Sequence, residues 1–189
     1  VGDEEVVLWV ASNISERHEL EIRLRALSDT DQLTGLFNRR KLEQDLRLHY
    51  ESSVRYSVPT SLLMFDLDNF KKINDTKGHN VGDEVIQAVA NVCRSALRKA
   101  DTACRFGGDE FVVALPNTGQ RQAMQFAQRI HALLAKELSH FSIDGTVVSA
   151  SIGVTTMISE DRGYEDTLKR ADLALYEAKS KGKGRIVAA

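Results

Sequence analysis

The chain has 189 residues, a formal net charge of −2, 42% hydrophobic and 28% charged residues, which fits one globular domain with a small appendage. A pI near 6.2 lacks the basic excess of a nucleic-acid-binding surface, so no nucleic-acid partner is expected. No apolar run approaches the ~20 residues of a membrane span and no secretory signal opens the chain, so this segment is expected to be cytoplasmic, without membrane contact of its own.

Residues 5–11, EVVLWVA, read as a strand with no obvious partner downstream, and a chain that opens inside a strand reads as a piece of a longer protein. SERHELEIRLRALS (15–28) is a charged helix with Leu20, Leu24 and Leu27 in one stripe. Over about two heptads, that stripe suits pairing with a second copy as well as lying on its own domain. DTDQLTGLFNRR (29–40) is a turn-rich connector, followed by a helix over 38–50. SLLMFDL (61–67) is a short apolar strand, and residues 80–99 form a helix with Val81, Val85, Val89, Cys93 and Ala96 on one face. Asn80 is the expected N-cap of that helix, with Asp83 in its first turn. A hairpin follows, with arms at 102–106 and 110–115, then a helix at 119–137 and a β-branched strand at 146–157. A helix at 164–180 and the strand RIVA close the chain, while Pro59 and Pro116 fall at strand boundaries. Cys93 and Cys104 lie in apolar runs and read as buried free thiols, which suits a reducing compartment. This order of elements predicts an α+β fold of split βαβ (ferredoxin-like) type. Its antiparallel sheet would carry helices on one face and leave the other for a ligand.

Acidic residues gather at two places. Asp66 and Asp68 end the strand 61–67 two residues apart, so an extended backbone points them to one side; if the chain turns at Leu67, Asp68 instead caps a short helix from Asn69. In the split βαβ sheet this strand adjoins the hairpin CRFGGDEFVV (104–113), so Asp66 can face Asp109 and Glu110. Carboxylates crowded in this way repel and call for a hard divalent cation. Oxygen ligands alone favour Mg²⁺ or Mn²⁺, whose shell is usually completed by water and substrate phosphates, which points to a nucleoside triphosphate. Lys71 and Lys72 follow the acids, placed to neutralise phosphate. Asn74 and Asp83 offer an amide and a carboxylate suited to a guanine edge, and Gly78 and Gly82 would keep their loop open to a ligand. Singly, each of these residues has an ordinary structural explanation; together they make a site.

RFGGDEF, FDLDNFKKINDTKGHNVGDE and DQLTGLFNRR together resemble the GGDEF family of diguanylate cyclases, in order from about Asp29 to Val187. The resemblance implies a palm-like fold with a catalytic domain over 29–189, and the condensation of two GTP into cyclic di-GMP and two pyrophosphates with Mg²⁺ or Mn²⁺. By the family pattern, Asp66 and the Leu67 carbonyl would hold metal with Asp109 and Glu110. Asp109 is also the usual candidate base for the 3′-hydroxyl. Asn74 and Asp83 would bind guanine, with His79 in the same segment; Phe70 and its backbone would approach the triphosphate, and Lys71 would stabilise the transferring phosphoryl group. Lys179 and Lys183 would meet phosphate, Lys183 standing where relatives often carry arginine and so lacking a bidentate contact. Gly107 and Gly108 would let the hairpin backbone approach the nucleotide without a Cβ in the way.

RKAD (98–101) ends the helix before the hairpin, and Arg98 and Asp101 match the family's RxxD inhibitory site for product; the alternative is an i, i+3 ion pair finishing a helix. A two-fold symmetric product made from one GTP per domain implies a homodimer. VVLWVASNISERHELE resembles the last strand and exit linker of a PAS sensor domain, which would make residues 1–28 the end of an upstream sensor. The competing functions are a catalytically inactive cyclic di-GMP receptor, another metal-dependent nucleotidyl cyclase or polymerase palm, and a purely structural dimerisation module.

Overall fold

The computed structural model describes residues 29–142, 145 and 147–189. The strand-like stretch 5–11, the leucine-striped helix and the PAS-like segment therefore lie outside the described residues. The elements run β1 (Phe37–Asn38), α1 (Arg39–Tyr56), β2 (Thr60–Asp68), α2 (Phe70–Lys77), α3 (His79–Ala96), β3 (Thr102–Gly107) and β4 (Glu110–Pro116). Then come α4 (Gln120–Leu138), a 3₁₀ turn (Ser139–Phe141), β5 (Ser149–Thr156), α5 (Tyr164–Ser180) and β6 (Ile186–Ala188).

The six strands form one sheet in the order β1-β3-β4-β2-β5-β6. The four central strands are antiparallel to their neighbours, as the split βαβ reading expects, and β2 lies between the hairpin and β5. The two short edge strands differ: β1 runs parallel to β3, and β6 parallel to β5. The sheet is thus mixed, within the expected α+β class.

Helices cover both faces of the sheet, not one. Alternate residues of β2 enter two separate cores. Leu63, Phe65 and Leu67 pack with Val85, Ile86 and Val89 of α3 and with Ile130 and Leu134 of α4. Leu62 and Met64 pack with Leu42 and Leu46 of α1 and with Ala171 and Leu175 of α5. Register partners Phe65 and Phe111 stack with ring centroids 5.3 Å apart. On the second face, α5 lies directly on β5: a Cβ on Gly153 would fall on the backbone of Ala171 and Leu175. A ligand therefore finds room at the end of the sheet rather than over its face.

Several boundaries shift for local reasons. α3 begins at His79 after Gly78, so Asn80 lies inside the first turn rather than capping it, and no acid falls in that turn. Gly82 is a buried helical residue and not part of an open loop; a Cβ there would collide with Asn74 Oδ1. Its lack of a side chain lets α2 and α3 cross closely. α1 continues past residue 50 to Tyr56, β5 starts at Ser149 rather than 146, and α3 ends at Ala96 so that RKAD forms the following turn. Both cysteines are buried free thiols, and burial pushes each up to about 12.

The β5–α5 connection is tied down by Asp161. Its carboxylate accepts the Ile158 N–H at 3.0 Å and the Thr167 hydroxyl at 2.8 Å and pairs with Arg170, while its carbonyl accepts the Tyr50 hydroxyl at 2.7 Å. No helix among the described residues is long and apolar enough to cross a membrane.

Candidate active site

Asp66 and Glu110 are register partners, the last pair between β2 and β4. β2 continues for two more residues paired only to β5, which leaves the backbone of Leu67 and Asp68 without a strand on the hairpin side. Gly108 and Asp109 form the two-residue turn between β3 and β4, and Gly108 has φ +47°, a conformation that glycine takes without penalty. Among the described residues, no atom beyond the chain neighbours lies within 4 Å of a Cβ placed at Gly107 or Gly108, so this turn is bare on its outer side.

The three acids share one electrostatic neighbourhood. Burial, with repulsion from Asp109 and Glu110, pushes the Asp66 carboxyl up to about 6, against the pull of the Lys179 ammonium 2.8 Å away. Among the described residues no three carboxylate, imidazole or thiol groups already close on a common point, and Lys179 is the cation at Asp66. The donor set nonetheless fits a hard divalent ion: three carboxylates and an unpaired stretch of backbone, without thiol or imidazole.

Of the other residues expected from the sequence, Lys179 and Lys183 are tied to the end of β2 by side-chain contacts, and the rest lie on the elements that follow it. Lys71 lies exposed in the first turn of α2, beside the end of β2. Lys183 reaches the same corner from the chain after α5, its Nζ donating to Asn69 Oδ1 at 3.2 Å. Phe70 turns its ring into the first core beside Gly82, so any part it has at a triphosphate falls to its backbone. Asn74 meets Gly82 at the α2–α3 crossing, one residue before Asp83; Asn74 Oδ1 is a buried acceptor with no hydrogen-bond partner among the described residues, and Asp83 and His79 are exposed on α3. Asp68 departs from both expectations. It is neither a free acid beside Asp66 nor a helix cap, because it accepts hydrogen bonds from Ser149, Ser151 and Gly184.

Arg98 and Asp101 lie apart from the acids, in the turn after α3. The Arg98 backbone N–H, not its guanidinium, donates to Asp101 Oδ2 at 2.9 Å, so the alternative i, i+3 ion pair is not what orders this turn. Both residues line a groove of about 350 Å³ with Gln122, Phe126 and Arg129 of α4. Arg129 stacks over Phe126 and donates to the Ala96 carbonyl at 3.0 Å. Sequence reasoning missed Arg129, since only the packing of α4 against α3 brings it here. It also missed Arg105, whose Nε–H donates to the Gly108 carbonyl at 2.9 Å while its other end contacts Asp31 at 3.4 Å. The acidic DxLT turn and the arginine before the glycines were visible signals for that link.

Residues 28–185 match the family described as diguanylate cyclase, GGDEF domain. The chain belongs to the GGDEF family of diguanylate cyclases. It is 38% identical over 178 residues to a probable diguanylate cyclase, DgcC, of Escherichia coli, covering 94% of this chain and 48% of that protein. It is 40% identical over 174 residues to the response regulator PleD of Caulobacter vibrioides, covering 90% of this chain and 37% of the relative. The chain thus spans about half or less of the length of these curated relatives. Among solved structures, diguanylate cyclase SiaD of Pseudomonas aeruginosa, in complex with its activator SiaC, superposes with a TM-score of 0.79 at 36% identity, covering 98% of this chain and 71% of that one. The GGDEF domain of DgcB from Caulobacter crescentus, in complex with c-di-GMP, gives 0.77 at 28% identity, covering 85% and 95%.

Proposed function

We propose that this GGDEF domain condenses two GTP into cyclic di-GMP, releasing two pyrophosphates, as a homodimer in which each chain presents one nucleotide. The observation that carries this reading is the pairing of Asp66 with Glu110 beside Asp109, at the end of the sheet next to a bare glycine turn. Asp66, the Leu67 carbonyl, Asp109 and Glu110 would hold Mg²⁺ or Mn²⁺, which when bound supplies positive charge to the phosphates and lowers the barrier to 3′-hydroxyl attack. Lys71, Lys179 and Lys183 hold the triphosphate, with the backbone from Phe70 and the Gly107–Gly108 turn alongside; Asn74, Asp83 and His79 lie at the guanine end. In each half-reaction the 3′-oxygen of one GTP bonds to the α-phosphorus of the other. The bond to the β-phosphate oxygen breaks, pyrophosphate leaves, and Asp109 accepts the hydroxyl proton.

Arg98 and Asp101, joined by Arg129 across their groove, form the product-inhibition site in this reading. Arg98 binds phosphate or guanine and Asp101 binds a guanine edge.

Incubation of the chain with GTP and Mg²⁺ followed by chromatography tests the proposal: cyclic di-GMP and pyrophosphate in 1:2 ratio support it. Absence of turnover in a dimeric preparation that still binds cyclic di-GMP would replace it with the receptor reading.

A further inference from the structure

Asp68 lies two residues beyond Asp66 on the same face of β2, yet its carboxylate serves a different purpose. It is 2% exposed and accepts the Ser149 hydroxyl at 2.6 Å, the Ser151 hydroxyl at 2.8 Å and the Gly184 N–H at 2.9 Å. Ser151 Oγ reinforces the grip by accepting the same Gly184 N–H at 3.2 Å. A carboxylate satisfied by three donors has little capacity left for a metal.

What it grips is unusual backbone. Gly182, Lys183 and Gly184 have φ of +112°, +61° and +55°. The two glycines take such values freely, but Lys183 carries a Cβ and does not. A second non-glycine residue with positive φ, Asn69 at +64°, directly follows Asp68. The two are joined to each other through Lys183 Nζ and Asn69 Oδ1. Disfavoured backbone of this kind persists only where its surroundings over-determine it, and it concentrates at ligand-binding sites. Here Asp68 supplies the constraint on both sides, covalently through Asn69 and by hydrogen bond through Gly184. The lysines on either side of the turn straddle the end of β2, Lys179 on Asp66 and Lys183 on Asn69.

We infer that Asp68 is a positioning residue for triphosphate recognition, a buried carboxylate that clamps Gly184 and so holds Lys183, and with it Lys179, over the end of β2. The inference rests on the GTP reading above. A lysine binds phosphate as a point charge on a flexible stem, so holding the backbone beneath it reduces the ordering that binding requires.

The test uses 3′-deoxy-GTP, which binds without condensing, alongside GMP and Mn²⁺ alone, the last measured by electron paramagnetic resonance. Asp68→Asn should weaken 3′-deoxy-GTP about tenfold while changing GMP affinity less than twofold and leaving Mn²⁺ binding as in the wild type. Combining it with Lys183→Met should weaken 3′-deoxy-GTP no more than about twofold beyond Lys183→Met alone, because both act on one contact. Ser151→Ala, which removes one hydroxyl from the clamp, should give the same split with a smaller loss and carries the test if Asp68→Asn does not fold. Equal losses for GMP and 3′-deoxy-GTP, losses that multiply in the double variant, or loss of Mn²⁺ binding would each overturn the inference. Wild-type protein that binds no 3′-deoxy-GTP would remove the GTP reading and this inference together; wild-type binding with no effect of either variant would remove this inference alone.

Discussion

Asp66 is held at a compromise that neither water nor a simple ion pair would impose. Burial and the neighbouring Asp109 and Glu110 raise its pKa, while Lys179 lies against it. Asp66→Asn keeps the shape, removes the charge and turns one acceptor oxygen into a donor. It should therefore lower cyclic di-GMP formation by at least about a hundredfold, with an unchanged far-UV spectrum; activity near wild type would exclude Asp66 from the metal site. Asp161 shows the opposite balance. Burial alone would raise its pKa, but hydrogen bonds from Arg170, the Ile158 N–H and Thr167, with the Arg170 charge, hold the carboxyl below its ordinary value. A depressed carboxyl contributes stability above its unfolded pKa and loses that contribution as pH falls through the folded value. Asp161→Asn should thus cost about 2 kcal/mol at pH 7 and flatten the acid limb of stability below about pH 4, as measured by urea unfolding across pH.

At the scale of elements, α5 and its following turn carry two lysines to the site, and their placement depends on Gly153. An added methyl would strike helix backbone rather than a side chain that can rotate away. Gly153→Ala should cost about 3 kcal/mol and lower the melting temperature by roughly 6–12 °C, with a raised KM for GTP because Lys179 and Lys183 move with the helix. The groove between the α3–β3 turn and α4 gives a separate expectation. Arg98→Ala and Arg129→Ala should each relieve inhibition by added cyclic di-GMP while leaving the initial rate within about twofold; retained inhibition in both would remove that groove as the product site. Much of this was legible in the residues. The helix read at 164–180 matches α5 end to end, and the short continuous apolar run SLLMFDL marks β2, which is buried on both faces. The facing of Asp66 and the GGDEF acids follows from strand adjacency alone. The parts that were not legible depend on contacts between distant segments. Leu42 and Leu46 make an apolar stripe but do not say which face of the sheet they cover. Gly82 looked like a loop residue because its reason, the side of Asn74, lies on another helix. Asp68 could not be separated from Asp66 until Ser149, Ser151 and Gly184 were seen around it.

At the scale of the whole molecule, the proposed reaction gives each chain one nucleotide at one set of acids among the described residues, which calls for two chains facing each other. Specific activity should therefore fall on dilution, with the rate approaching a second-order dependence on protein concentration once the dimer dissociates; initial rates across a hundredfold dilution series check this. A rate strictly proportional to concentration in monomeric samples would rule the two-chain arrangement out. The sheet itself bears on how such chains meet. Among the described residues its outermost strands have two residues on one side and three on the other, each running parallel to its neighbour. Very short margins offer little ladder for a foreign strand to zip onto. Copies of this domain are thus discouraged from fusing sheet to sheet into a lasting continuous ribbon, and are left to touch through loops and helices. Such contacts can form and part again, which would suit a partnership broken each time its joint product leaves.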